Sequence, residues 1–205
     1  MRSIQSKLRL ALAAQLSGRI LDCGCGEDLF GPVLRREGNQ VVSLDVDEES
    51  LRKMPGKKVV ASCADMPFVD DYFDAVWACA IIEHVREEAL PEMVRVTRPG
   101  GRIVAVTPNP HSPFDVLRAF FGHGRWAEVE GHVRLYDCAE LRFYGTVYGE
   151  ARFLPFLCWF FWRFPRVAHV LVLDVHVTPS LKEKVRQHFP QTLGRRPPCE
   201  TRVIF

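Results

Sequence analysis

The sequence predicts a doubly wound α/β fold, a mostly parallel sheet with helices on both faces. Three observations carry this. Apolar runs alternate with helix-patterned runs through the first half of the chain. Four of the apolar runs are nearly continuous, and the first enters a glycine turn at Asp22-Cys23-Gly24-Cys25-Gly26. A strand covered on both sides has no solvent face to keep polar, so unbroken apolar runs mark parallel strands under helices. Right-handed crossovers then distribute the helices over both faces.

Taken in order, residues 19–24 read as the first strand, 29–37 as a helix and 40–45 as the second strand. A short helix over 48–54 follows, then strands at 57–62 and 73–79, a helix at 87–98 and a fifth strand at 102–107. After Pro108 the pattern changes to a loop at 109–113, an apolar helix near 114–121 and a glycine turn at 122–124. Asp137 is placed to cap a helix over 138–144, and 146–153 reads as a sixth strand. The stretch 155–190 reads as an aromatic-rich helical insert, and 200–205 as a closing strand. There is no internal repeat and no low-complexity linker, so the 205 residues are expected to form one domain. Residues 19–107 would be its cofactor half and 108–205 its substrate side.

Composition excludes several classes of function. The 27 Lys and Arg nearly balance the 25 Asp and Glu, and no basic cluster marks a nucleic-acid face, so no nucleic-acid partner is expected. Seven cysteines, an odd number without a CxxC pair, imply a reduced, cytoplasmic protein. Arg2, Lys7 and Arg9 precede a short apolar stretch at 10–14, read as an amphipathic leading helix and not a signal peptide. No run reaches the roughly 20 apolar residues of a membrane span. The nearest approach, 153–175, is broken by Arg163, Pro165 and Arg166.

The glycine turn carries the most chemistry. Glycines there let backbone approach a ligand closely, and about twenty residues later a second apolar run ends in Asp45. In a βαβ unit an acid at that point takes the ribose hydroxyls of a nucleoside cofactor. Asp45 could instead cap the helix that follows. A nicotinamide dinucleotide needs a third glycine at position 29 to complete Gly-x-Gly-x-x-Gly, and the chain has Leu29.

With these elements in place, the chain resembles the class I S-adenosylmethionine-dependent methyltransferases, in particular the ubiquinone/menaquinone-type small-molecule subgroup. Asp22-x-Gly24-x-Gly26 is similar to the family's first motif and Asp45 to its ribose-binding acid. Ala64-Asp65-Met66-Pro67-Phe68 resembles its adenine-contacting segment, and Phe73-Asp74-Ala75-Val76 the start of its fourth strand. Ile82-Glu83-His84-Val85, Arg95-Val96-Thr97-Arg98-Pro99-Gly100-Gly101 and Gly131-His132-Val133-Arg134-Leu135-Tyr136 resemble later elements. The resemblance implies a Rossmann-like sheet, S-adenosylmethionine as cofactor, and cofactor contacts from Asp22, Gly24, Gly26, Asp45, Val46, Asp65, Met66 and Cys79. One departure stands out: Asp28 occupies the position where the family often carries a third glycine. Its carboxylate could meet the cofactor's amino group or face solvent.

Glu83 and His84 follow the fourth strand, whose C-terminal end should face the ligand crevice. His84 is therefore a candidate general base, with Glu83 beside it; the alternative is that both simply begin a helix. Quinone O-methyltransferases and small-RNA 3′-end methyltransferases hold a divalent metal with Glu-x-x-Glu-His and a later His. Here Ala80 replaces the first glutamate, so no metal is expected despite Glu83, His84 and His132. Phe153, Phe156, Trp159, Phe160, Phe161, Trp162 and Phe164 crowd one segment. They could complete the core, wall an apolar acceptor pocket, or let 153–166 contact a membrane surface. The expectation is a methyltransferase acting on a small acceptor, hydrophobic or lipid-like on the pocket reading. The rivals are a non-catalytic binding module of the same fold and, more distantly, a nicotinamide oxidoreductase.

Overall fold

The computed structural model describes residues 7–85, 89–113, 132–150, 165, 168, 170–190 and 203–204. The expected helix near 114–121, the turn at 122–124 and the aromatic segment 153–164 lie outside the described residues. The first half alternates as the sequence predicts: α1 (Lys7–Ala13), β1 (Arg19–Cys23), α2 (Gly31–Leu34), β2 (Gln40–Asp45), α3 (Glu48–Arg52), β3 (Lys57–Val60) and β4 (Phe73–Cys79). A 3-10 turn over Ile82–His84 leads to α4 (Ala89–Val96) and β5 (Thr97–Pro108). Then come α5 (Cys138–Arg142), β6 (Thr146–Glu150), β7 (Val170–His176), α6 (Pro179–His188) and β8 (Val203–Ile204).

The eight strands lie in the order β6-β7-β5-β4-β1-β2-β3-β8. Strands β1 to β5 run parallel, whereas β7 is antiparallel to β5 and to β6, and β8 is antiparallel to β3. Alternate residues feed two cores. Leu21, Cys23, Val76, Ala78, Ile103, Ala105, Leu171 and Leu173 pack with Leu90, Met93, Leu141, Leu181 and Val185 from α4, α5 and α6. Ile20, Val41, Ala75, Trp77, Val104 and Val172 pack with Ala13, Phe30 and Leu34 around α1 and α2. Both faces are apolar because both are covered, which is why these strands read as unbroken runs.

The helical insert expected over 155–190 is overturned in its second half. Val170–His176 is a strand, buried at six of its seven positions, and a separate helix follows from Pro179. Placed between β5 and β6, this run has neighbours on every side and needs no polar face. Its apolar character merged in sequence with the aromatic run before it. Other differences are of length. The helix expected over 29–37 spans only Gly31–Leu34, and the one expected to reach residue 98 stops at Val96. There Thr97 Oγ1 donates to the Met93 carbonyl at 2.6 Å, and Pro99, which lacks an N–H, cannot continue the helix.

Candidate active site

The strand order reverses at β1, which pairs with β2 on one side and β4 on the other. Ligands of open α/β sheets bind outside the strand C-termini at such a switch point. The loops after β1, β2, β3 and β4 meet there.

The loop after β1 is fixed by backbone. Gly24 N and Cys25 N donate to the Leu44 carbonyl at 2.8 and 3.2 Å, tying the loop to β2. Gly26 N donates to Asp45 Oδ2 at 2.8 Å, so the predicted acid also braces the predicted glycine. Gly24 and Gly26 have φ of +70° and +48°, in the left-handed region that favours glycine. Their roles differ, although the sequence reading treats them alike. A Cβ on Gly24 would lie 2.3–2.8 Å from Ile81 side-chain carbons, so this glycine admits a close approach from the loop after β4. A Cβ on Gly26 would meet nothing within 4 Å, leaving open space at the switch point. Gly26→Val should therefore leave the protein folded, with its melting temperature lowered by several degrees through the strain of a β-branched residue at positive φ, and abolish S-adenosylhomocysteine binding in calorimetry. Normal binding would mean that no ligand uses this space.

The helix-cap alternative for Asp45 is removed. Asp47 caps α3, accepting from Glu49 N at 3.0 Å and from Ser50 Oγ at 2.6 Å. Asp45 instead stands half-buried at the end of β2, with Oδ1 accepting from Asp47 N at 3.0 Å. Val46, next in the chain, is 68 % exposed, an apolar side chain open at the rim. Asp22, by contrast, is buried in the sheet between Ser43 and Trp77, and its Oδ2 has no hydrogen-bond partner among the described residues. Burial, then the nearby Asp28 carboxylate, raises its pKa from 3.8 to about 7, against the opposing pull of Arg35.

The loop after β3 is held by a device the sequence reading does not single out. Glu92 and Arg95, both buried on α4, form an ion pair at 2.7 Å. Glu92 accepts from Met66 N at 2.9 Å, while Arg95 donates to the Met66 and Phe68 carbonyls at 2.9 and 2.7 Å and to Asp70 at 2.9 Å. Met66 thus has a core side chain and a committed amide, so it shapes the loop and offers no free N–H to a ligand. Asp65 stays exposed beside it.

The loop after β4 brings the remaining candidates together. Glu83 is 1 % exposed, and its carbonyl accepts from Val133 N and Arg134 N at 2.9 and 3.1 Å. That contact carries His132 against His84, ring centroids 4.8 Å apart. Ligand atoms of Glu83, His84 and His132 all lie within 4.8 Å of one another, so the three could hold a cation or move a proton. Ala80, where a further carboxylate would be needed for the four-ligand pattern, has φ +56°. Cys79, at the end of β4, has its Sγ 4.0 Å from Arg9 Nη1 of α1, and burial pushes its thiol up to about 12. Arg9 is itself buried in an ion pair with Glu150 at 2.7 Å, so α1 docks through a charge as well as an apolar face.

Residues 21–105 match the family model described as "Methyltransferase domain". The chain is 38% identical over 121 residues to a demethylmenaquinone methyltransferase of Beutenbergia cavernae, 54% of this chain and 50% of that protein. It is 32% identical over 119 residues to a malonyl-[acyl-carrier protein] O-methyltransferase of Erwinia pyrifoliae, 54% of this chain and 45% of that protein. The chain thus spans about half the length of these relatives. Among solved structures it resembles a SAM-dependent methyltransferase from Archaeoglobus fulgidus, with a TM-score of 0.58 and 17% identity over 82% of this chain and 89% of that one. In the order of its strands, in its motifs and in sequence over residues 21–105, the chain resembles the class I S-adenosylmethionine-dependent methyltransferases.

Proposed function

We propose that this chain transfers a methyl group from S-adenosylmethionine to a small acceptor docked beside Glu83, His84 and His132, with His84 taking the acceptor's proton. The observation that carries the proposal is the convergence of these three side chains at the C-terminal end of β4, next to the glycine loop. The residues present fit the cofactor. Gly26 leaves space, Asp45 presents a carboxylate at the end of β2, and Asp22 keeps an unpartnered carboxylate oxygen. When bound, S-adenosylmethionine supplies a methyl group on a cationic sulfur.

The chain's own task is then to position and desolvate the acceptor and remove its proton. His84, exposed at the rim, can meet an acceptor, while buried Glu83 lies close enough to orient an imidazole. A hydrophobic or lipid-like acceptor is supported by the aromatic run over 153–164 and by the relative named for demethylmenaquinone. Loss of His84 should then lower turnover of an ionising acceptor by about 10²–10⁴-fold.

The test is transfer of a labelled methyl group to a demethylated naphthoquinol in detergent, with wild type and His84→Ala. The expected result is transfer by wild type, an acid limb in its pH–rate profile, and loss of that limb in the variant at unchanged S-adenosylhomocysteine affinity. Abolition of turnover by a chelator and its recovery with a divalent cation would make the cluster a cation site instead. Binding of cofactor without transfer to any acceptor tried, including an acyl-carrier-bound carboxylate, would favour a non-catalytic module.

A further inference from the structure

The seven cysteines show no spacing that pairs them, yet the fold brings two of them together. Cys23 ends β1 and Cys63 follows β3, 40 residues further on, and their Sγ atoms lie 2.7 Å apart. Two carbons in non-bonded contact sit about 3.5–4.0 Å apart, and sulfur is the larger atom. A disulfide needs about 2.05 Å, so closing the bond takes a movement of roughly 0.7 Å.

This is not a contact between neighbouring strands. Strand β2 lies between β1 and β3, so the loop after β3 turns back over β2 to bring Cys63 to the end of β1. Backbone bonds hold both sides of the contact. Gly24 N and Cys25 N are tied to the Leu44 carbonyl, while Asp65 N donates to the Ser62 carbonyl at 3.1 Å and Met66 N to Glu92 at 2.9 Å. The neighbouring thiols point elsewhere: Cys25 packs in a separate cluster with Leu51 and Met54, and Cys79 lies against Arg9.

Both sulfurs belong to the core, with Cys23 0% and Cys63 3% exposed. Burial, and then the contact with Cys63, push the Cys23 thiol up, so the folded chain keeps it protonated and unreactive. Oxidation therefore belongs to the chain before the core closes over the pair. Burial then works in favour of the bond, because a reductant cannot reach it.

We propose that Cys23 and Cys63 form a disulfide, made while the chain is open and sealed by folding, that staples the glycine loop to the loop after β3. The oxidant is a small-molecule disulfide. One cysteine thiolate attacks it, giving a mixed disulfide and releasing one small thiol. The second thiolate then attacks the sulfur of the first cysteine and releases the other small thiol. The two protein sulfurs lose two electrons and two protons in all, and the oxidant is reduced to two thiols. The staple joins the two loops that carry Gly24 and Gly26 on one side and Asp65 on the other, and its formation does not depend on which ligand those loops hold.

The test holds the whole chain in a glutathione redox buffer with denaturant just below its unfolding midpoint, where it opens and closes repeatedly. The protein is then returned to plain buffer, unfolded and alkylated. The expected product carries alkyl groups on five of its seven cysteines and is two mass units lighter before alkylation. Cys25→Ala and Cys79→Ala should keep the link, and Cys63→Ala should lose it. The folded, linked protein should resist dithiothreitol for hours and yield to it within minutes in denaturant. Its melting temperature should exceed that of the reduced protein by at least about 5 °C, since the bond closes a long loop of the unfolded chain. Alkylation of all seven cysteines after this treatment would overturn the proposal, as would a link that involves Cys25 or Cys79 or one that lowers the melting temperature. If Cys63→Ala does not fold, the alkylation count and the linked peptide of the Cys25→Ala and Cys79→Ala proteins decide the matter.

Discussion

Replacing Arg95 by Met is expected to lower the unfolding free energy by about 3–5 kcal/mol, the range for breaking a buried ion pair by removing one partner. Arg95 is 8% exposed, and its guanidinium makes five hydrogen bonds: two to Glu92, one to Asp70, and one each to the Met66 and Phe68 carbonyls. Burial works against its charge, but the bonds to Glu92 and Asp70 prevail and hold the group above its ordinary pKa. Methionine fills a similar volume yet leaves a 1%-exposed Glu92 carboxylate with only the Met66 amide donating to it, and two loop carbonyls without the Arg95 donors. At about 2–4 °C per kcal/mol for a chain of this size, the melting temperature should fall by roughly 10 °C. Because the same contacts shape the loop that carries Asp65, methylthioadenosine affinity should fall as well. A melting temperature within two or three degrees of wild type would show that the loop is held by its apolar contacts, Phe68 against Phe73 above all. Glu92→Gln should cost less, since an amide can still accept from Met66 N while weakening the bonds to Arg95.

What was legible in the sequence is what depends on local chemistry. Gly24, Gly26 and Asp45 are separated by one βαβ unit, and the features that betray them, a turn conformation and a strand end, are written within that unit. The parallel core showed itself because strands covered on two faces leave no polar alternation. The illegible parts depend on distant partners. Nothing near Arg9 in the chain announces Glu150, and nothing near Gly24 announces Ile81, so one residue reads only as part of an amphipathic leading helix and the other as ligand space. Arg95 was visible only as part of a motif, not as the clamp of the loop at 66–70. Asp28 could be seen to break the glycine pattern, but its partner lies two helical turns on, at Arg35. Strand β7 escaped for a different reason: an apolar run beside an aromatic one has no periodicity that separates strand from buried helix. The meeting of Glu83 and His84 with His132 required knowing that the backbone of Val133 and Arg134 docks on the Glu83 carbonyl.

Asp22→Asn is expected to stabilise the ligand-free protein at alkaline pH while weakening its hold on the cofactor. The Asp22 carboxyl has its pKa raised from 3.8 to about 7, by burial first and by Asp28 and Asp45 after it, with Arg35 opposing. Between about pH 4 and pH 7 the unfolded chain has lost this proton and the native chain still holds it. The native state therefore binds more protons, and stability falls as pH rises through that window. A shift of about three pKa units corresponds to roughly 4 kcal/mol, fully expressed only above the native pKa. Asparagine is isosteric and never ionises, so it removes this term. Its advantage over wild type should be small near about pH 4 and grow to a few kcal/mol near about pH 8, as denaturant unfolding at the two pH values would measure. An advantage that does not grow with pH would mean that Asp22 is solvated or paired in the native state. The cost of that carboxylate has a use if a cationic ligand group settles against it, since the ligand then favours the ionised form. Cofactor binding near about pH 6 should accordingly release a proton, seen as a binding enthalpy that changes with the ionisation enthalpy of the buffer. In Asp22→Asn that buffer dependence should vanish along with much of the affinity, because an amide meets an ammonium group without charge. Persistence of the proton release in the variant would assign it to another group and separate Asp22 from the ligand.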